Sequence, residues 1–119
     1  MSTPGTLLFV YGSLRRGQQH HAELRDARLI DTVRTEACYE LVDLGPYPAL
    51  LEGGNDAVVG ELYEVSASLI EELDLFEEVP EVYRRVPLRI AGVDAHGYVL
   101  PRERAGDAPR VPSGDWCKR

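Results

Sequence analysis

No apolar run in this chain approaches the roughly 20 residues that a membrane-spanning helix needs. The opening Met-Ser-Thr-Pro-Gly5 also lacks the charged stretch that begins an export signal. Cysteine is scarce. Cys38 and Cys117 lie far apart and form no metal-type pair; without an export signal they are expected to be reduced thiols of a cytoplasmic protein. Positive charge is outnumbered, with 13 Lys and Arg against 20 Asp and Glu, a net charge of -7. The arginines are scattered among acids, which excludes the basic stripe that a nucleic-acid partner requires. Repeats and linkers are missing too, so residues 1–119 are expected to form one domain with its own core. What remains is ordinary globular composition, 44% hydrophobic and 28% charged, which argues against disorder.

Thr6-Leu-Leu-Phe-Val-Tyr11 reads as a buried strand that turns at Gly12. Residues 18–28 read as a short helix or irregular loop, and residues 34–42 as a strand. Gly45-Pro-Tyr-Pro48 reads as a loop, because two prolines in three residues remove donors and fix the backbone. After a turn at Gly53-Gly-Asn-Asp56, residues 58–65 form a strand with Val59, Glu61, Tyr63 and Val65 on one face. A helix is predicted from Ser68, where Ser68 and Glu71 have capping-box spacing, and it must end before Pro80. Residues 83–90 alternate, with Val86, Leu88 and Ile90 opposite Arg85 and Arg89, and residues 96–100 make a further strand. From about residue 101 proline, glycine and charge predict an irregular tail, anchored by Trp116. Five or so strands with one or two helices, not alternating, indicate an α+β fold.

Two segments stand out chemically. On the predicted helix, Leu69, Ile70, Leu73 and Phe76 share an arc of roughly 120°, and Glu77 falls inside it. Glu71, Asp74 and Glu78 fall on the solvent side. A carboxylate on a core-facing arc is costly unless paired or protonated. Glu77 is therefore either a flanking residue at a fraying helix end or a working acid/base. Within the last turn, helix-end carbonyls and apolar surroundings would both raise its pKa, which suits proton transfer. The second segment is Val10-Tyr-Gly-Ser-Leu-Arg-Arg-Gly17, a strand running into a glycine turn whose outward N–H groups can hold an anion. Gln18 and Gln19 replace the Lys and Ser/Thr of a phosphate-binding loop, and Ser13 lacks the flanking glycines of a nucleophile elbow. Adjacent His20 and His21 have no companion ligands at metal spacing and are expected on the surface. Arg84 and Arg85 are expected to pair with surface acids.

Together these segments resemble the γ-glutamylcyclotransferase superfamily, and most closely its short bacterial, AIG2-like and γ-glutamylamine cyclotransferase-like branch. The resemblance covers about residues 7–100. It is carried in order by Tyr11-Gly-Ser-Leu14, Tyr47-Pro-Ala-Leu50, Gly60-Glu-Leu-Tyr63, Leu73-Asp-Leu-Phe-Glu77 and Tyr83-Arg-Arg85, with Gly114-Asp-Trp116 similar to the family's tail.

The resemblance implies a small, twisted, mostly antiparallel β-barrel with one or two α-helices packed outside. It implies catalysis without cofactor or metal, on a small-molecule γ-glutamyl substrate that is cyclised to 5-oxoproline with release of an amine or amino acid. It assigns Glu77 as catalytic acid/base, with Tyr11, Gly12, Ser13, Leu14 and Tyr83 around the substrate. The chain is shorter than members acting on γ-glutamyl amino acids, so an open pocket with a bulky leaving group is expected. The alternative is a binding module on the same fold, holding a small acid or a partner without turnover. The sequence leaves oligomeric state open.

Overall fold

The apolar run at positions 7–11 becomes the centre of the protein. The computed structural model describes residues 5–25 and 27–119; residues 1–4, most of the opening read for an export signal, and position 26 lie outside them. Strand β1 (Thr6–Val10) sends Leu8 and Val10 into one apolar cluster and Phe9 into another. A strand buried on both faces reads as a continuous apolar run, and this one does.

One seven-stranded sheet forms around it. The other strands are β2 (Arg28–Arg34), β3 (Tyr39–Asp43), β4 (Pro48–Glu52), β5 (Val59–Val65), β6 (Arg84–Ile90) and β7 (Val93–Val99). Hydrogen bonds run in the order β2-β5-β1-β7-β4-β3, with β6 also on β7. Every pairing is antiparallel except β1 with β7 and β4 with β7. The expected α+β, mostly antiparallel architecture is present, although the hydrogen-bonded path stays open instead of closing on itself. Helix α1 (Ala67–Phe76) covers the face that carries Leu8 and Val10, burying Leu69, Ile70 and Leu73 there. No helix among the described residues is long and apolar enough to cross a membrane.

Several local expectations shift. The strand placed at residues 34–42 is two strands, β2 and β3, separated by a bend where Thr35 exchanges hydrogen bonds with Val58. Strand β2 was hidden because it is an edge strand whose polar, mostly exposed side chains leave no alternating pattern. The loop expected through Pro48 gives way there to β4, since proline is tolerated as a strand's first residue. The helix is capped by Ser66, whose hydroxyl accepts from the Leu69 N–H at 3.1 Å, and not by Ser68. The tail is irregular apart from the one-turn helix α2 (Arg102–Ala105) and a 3-10 turn at Trp116–Lys118. Trp116 is buried, as an anchor should be, and both cysteines are free and exposed.

Candidate active site

Helix α1 ends at Phe76, and Glu77 is its C-cap, one residue beyond the last turn in which the helix wheel placed it. Its N–H closes the helix on Leu73 O at 2.8 Å, and Glu78 then takes a left-handed conformation (φ 55°) that swings the chain away. The side chain is left against the sheet, half-buried, and makes no hydrogen bond to any described residue. Burial pushes the carboxyl up from 4.5 to about 7. The cause is desolvation of a carboxyl left without a hydrogen-bond partner.

Facing it is the turn that follows β1. Arg15 N–H donates to Gly12 O at 3.0 Å, and the N–H groups of Gly12, Ser13 and Leu14 donate to no other described residue. Gly12 is required by space: a Cβ there would come within 2.4 Å of Pro48 Cγ. Tyr11, Gly12, Ser13, Leu14, Glu77 and Tyr83 all line one cavity of about 140 Å³, so the geometry brings every sequence-predicted site residue together. The two tyrosines are buried with their donors committed, Tyr11 to Tyr98 O at 2.6 Å and Tyr83 to Pro48 O at 2.9 Å. Burial raises the pKa of both, and the Glu77 charge raises each further. They stay neutral; the Leu50 backbone bonds the Tyr11 oxygen, while the Tyr83 oxygen remains available as an acceptor.

The cavity also includes His20, Pro48, Phe76 and Val82, which the sequence did not single out for it, and Glu78, expected beside the site on the solvent side. Among the described residues, no Arg or Lys lines it. The expectation of surface histidines fails. His20 packs edge-on against Phe76, with ring centroids 5.2 Å apart, and His21 Nδ1 lies 2.9 Å from Leu14 O beside the Tyr63 ring. Their ring neighbours Phe76 and Tyr63 come from α1 and β5, which no local pattern could reveal. Asp74 is likewise not a solvated acid. It accepts from Tyr98 Oη at 2.8 Å and from Arg85 Nε at 2.9 Å, which ties the helix to the sheet behind the site. Arg85 thus pairs with a half-buried acid instead of a surface one.

The turn itself is held by charge buried beneath it. Glu61 accepts from the Arg16 N–H and from Tyr63 Oη, both at 2.9 Å, and pairs with Arg15 Nε at 3.3 Å. Arg15 also donates to Asp115 at 2.8 Å, and Arg15 and Glu61 are both buried. Asp115 is placed by Gly114 (φ 68°), whose missing Cβ lets it pass against Ala57 O. The alternation of residues 58–65 put Glu61 on a face with three apolar or aromatic neighbours, and that misfit was the signal for this cluster. No group of three or more metal-type ligands occurs among the described residues.

The family model described as "Gamma-glutamyl cyclotransferase, AIG2-like" matches residues 8–118. A human protein named gamma-glutamylaminecyclotransferase is 40% identical over 120 residues, which cover 93% of this chain and 74% of that one. The gamma-glutamylcyclotransferase family protein YtfP of Escherichia coli K12 is 33% identical over 112 residues, covering 94% and 96%. The chain spans less than two thirds of several other animal relatives. Among solved structures, an AIG2-like protein from Mus musculus superposes with a TM-score of 0.75 at 28% identity, covering 93% of this chain and 88% of the other.

Proposed function

Because the chain belongs to the gamma-glutamyl cyclotransferase, AIG2-like family, we propose that it cyclises a γ-glutamyl group to 5-oxoproline and releases an amine, with Glu77 shuttling the protons. One observation carries the assignment: an unpaired, half-buried carboxyl at about 7 shares a small cavity with a turn whose N–H groups are free. In this reading the substrate's α-ammonium sits at Glu77. Its γ-carbonyl oxygen and α-carboxylate divide the donors of Gly12, Ser13 and Leu14.

The proton inventory explains why one shuttle suffices. The attacking nitrogen begins as an ammonium with three protons and ends as a lactam N–H with one. The leaving nitrogen begins as an amide N–H and departs as an ammonium. Glu77 first removes one proton, freeing the lone pair that attacks the γ-carbonyl carbon and pushes its π electrons onto oxygen. That proton goes to the leaving nitrogen as the C–N bond breaks, and a second follows the same route. A group near neutrality is suited to both directions. Donors aimed at the oxyanion stabilise the tetrahedral species, and holding both ends of the substrate in one cavity favours ring closure over hydrolysis. No cofactor enters any step of this scheme.

The mouth of the cavity favours a carbon-chain amine as leaving group. Tyr47, Phe76 and Val82 supply apolar surface, while Glu78 adds negative charge that repels a carboxylate beside the leaving nitrogen. The test is incubation of the purified protein with γ-glutamyl alkylamines and γ-glutamyl amino acids, measuring 5-oxoproline. Release from the amines, abolished in Glu77→Gln, is expected. If no member of the panel is cyclised, the assignment fails and the binding-module reading replaces it. A cytoplasmic setting accords with the thiols of Cys38 and Cys117 remaining reduced.

A further inference from the structure

Among the described residues, His20 Nδ1 is the buried side-chain polar atom that lacks a hydrogen-bond partner. The backbone N–H of His20 donates to Ser13 O at 2.8 Å, and its ring packs edge-on against Phe76, the residue before Glu77. His20 lines the cavity and its Nδ1 is sealed, so Nε2 is the ring nitrogen left to serve a ligand there. A sealed Nδ1–H with no acceptor would be a donor buried without compensation. The tautomer with its proton on Nε2 avoids that buried donor and leaves Nε2–H as the ring's donor.

On the cyclotransferase reading, we propose that His20 is a substrate-binding residue whose Nε2–H donates to the α-carboxylate of the γ-glutamyl group. Among the described residues no Arg or Lys lines the cavity, so that carboxylate depends on hydrogen-bond donors there. The free N–H groups of the turn are three, and the γ-carbonyl oxygen needs a share of them as its charge develops. A fourth donor on the adjacent wall lets the carboxylate be held without depleting the oxyanion site. Acid/base work is the competing role for a histidine, and the geometry disfavours it. Histidines that move protons have an acceptor on the far nitrogen to orient the ring and stabilise its charge. His20 has none there. It binds; Glu77 moves the protons.

The test pairs kinetics with ring spectroscopy. Long-range 1H–15N spectra of the wild-type protein should show His20 protonated at Nε2, and its ring signals should move on saturation with 5-oxoproline. They should stay in place with 2-pyrrolidinone, the same lactam without the carboxylate. His20→Ala should raise KM for a γ-glutamyl alkylamine about tenfold or more, with kcat within about threefold, as expected for loss of one hydrogen bond to a charged group. His20→Gln, which carries an N–H at a similar reach, should restore most of the KM. An unchanged KM in His20→Ala overturns the proposal, as does a collapse of kcat alone or equal movement with both lactams. If His20→Ala does not fold, the wild-type spectra and the Gln variant still decide. An inactive wild type refutes the cyclotransferase reading, whereas a carboxylate-dependent ring shift supports His20 as a ligand of small acids even then.

Discussion

Glu77→Gln should make the protein more stable and less active, with a pH dependence that identifies the cause. Folding raises this carboxyl from 4.5 to about 7, so the folded state binds its proton more tightly than the unfolded chain does. The stabilisation from that proton is fully present below about 4.5 and is lost as pH rises through about 7. At 1.36 kcal/mol per pH unit, the wild type above pH 8 carries a penalty of about 3 kcal/mol, a ceiling because the side chain is only half-buried. Glutamine keeps the shape and never ionises. Urea denaturation should therefore show little difference between variant and wild type at pH 4.5. At pH 8.5 the variant should be more stable by up to about 3 kcal/mol, corresponding to a rise in Tm on the order of 10 °C. Its kcat should fall by about 10²- to 10⁴-fold, the usual contribution of positioned acid/base groups. A stability difference that is the same at both pH values would mean that Glu77 ionises as an ordinary exposed acid, and the argument for it as a base would collapse.

Other outcomes test the surrounding parts. In the wild type, kcat/KM should rise with pH along a limb near 7, because only the ionised Glu77 accepts the first proton; a flat profile from pH 5 to 9 contradicts this. Gly12→Ala should cost about 1–3 kcal/mol and more than tenfold in kcat/KM, since its Cβ can be accommodated only by displacing the turn from Pro48; chemical denaturation and the cyclisation assay read the two effects. Glu61→Leu should destabilise by about 3–5 kcal/mol by removing one of the two buried acids on Arg15 and the acceptor of the Arg16 N–H and Tyr63 hydroxyl, whereas Glu61→Gln should cost less and preserve more activity; equal costs would remove charge from the explanation.

The site was more legible than the strands. Glu77 and the glycine turn were visible because each breaks a local rule: a charge on an apolar arc, and glycines directly after a buried strand. The buried Glu61 broke the same kind of rule. What could not be read locally depends on distant partners. His20 is half-buried because Phe76 lies beside it, and Asp74 is withdrawn from solvent because Arg85 and Tyr98 reach it from β6 and β7. Strand β2 lacks a pattern because little of it is buried, and β4 begins on a proline that punctuates loops elsewhere. The helix start was misplaced by two residues because Ser68, unlike Ser66, has an acid at capping-box spacing, Glu71. Only the Ser66 hydroxyl reaches the Leu69 N–H.

The bond from Arg15 to Asp115 joins residues 100 positions apart. During synthesis the turn that presents the free N–H groups is made early, while the acid that completes its foundation emerges among the last segments of this domain. A nascent chain lacking that segment has Gly12, Ser13 and Leu14 in sequence but not a secured arrangement of them. Closing so long a loop is entropically expensive and slow compared with forming α1. Competence should consequently appear late and all at once, and changes near Gly114 should be felt as catalytic defects far away in sequence.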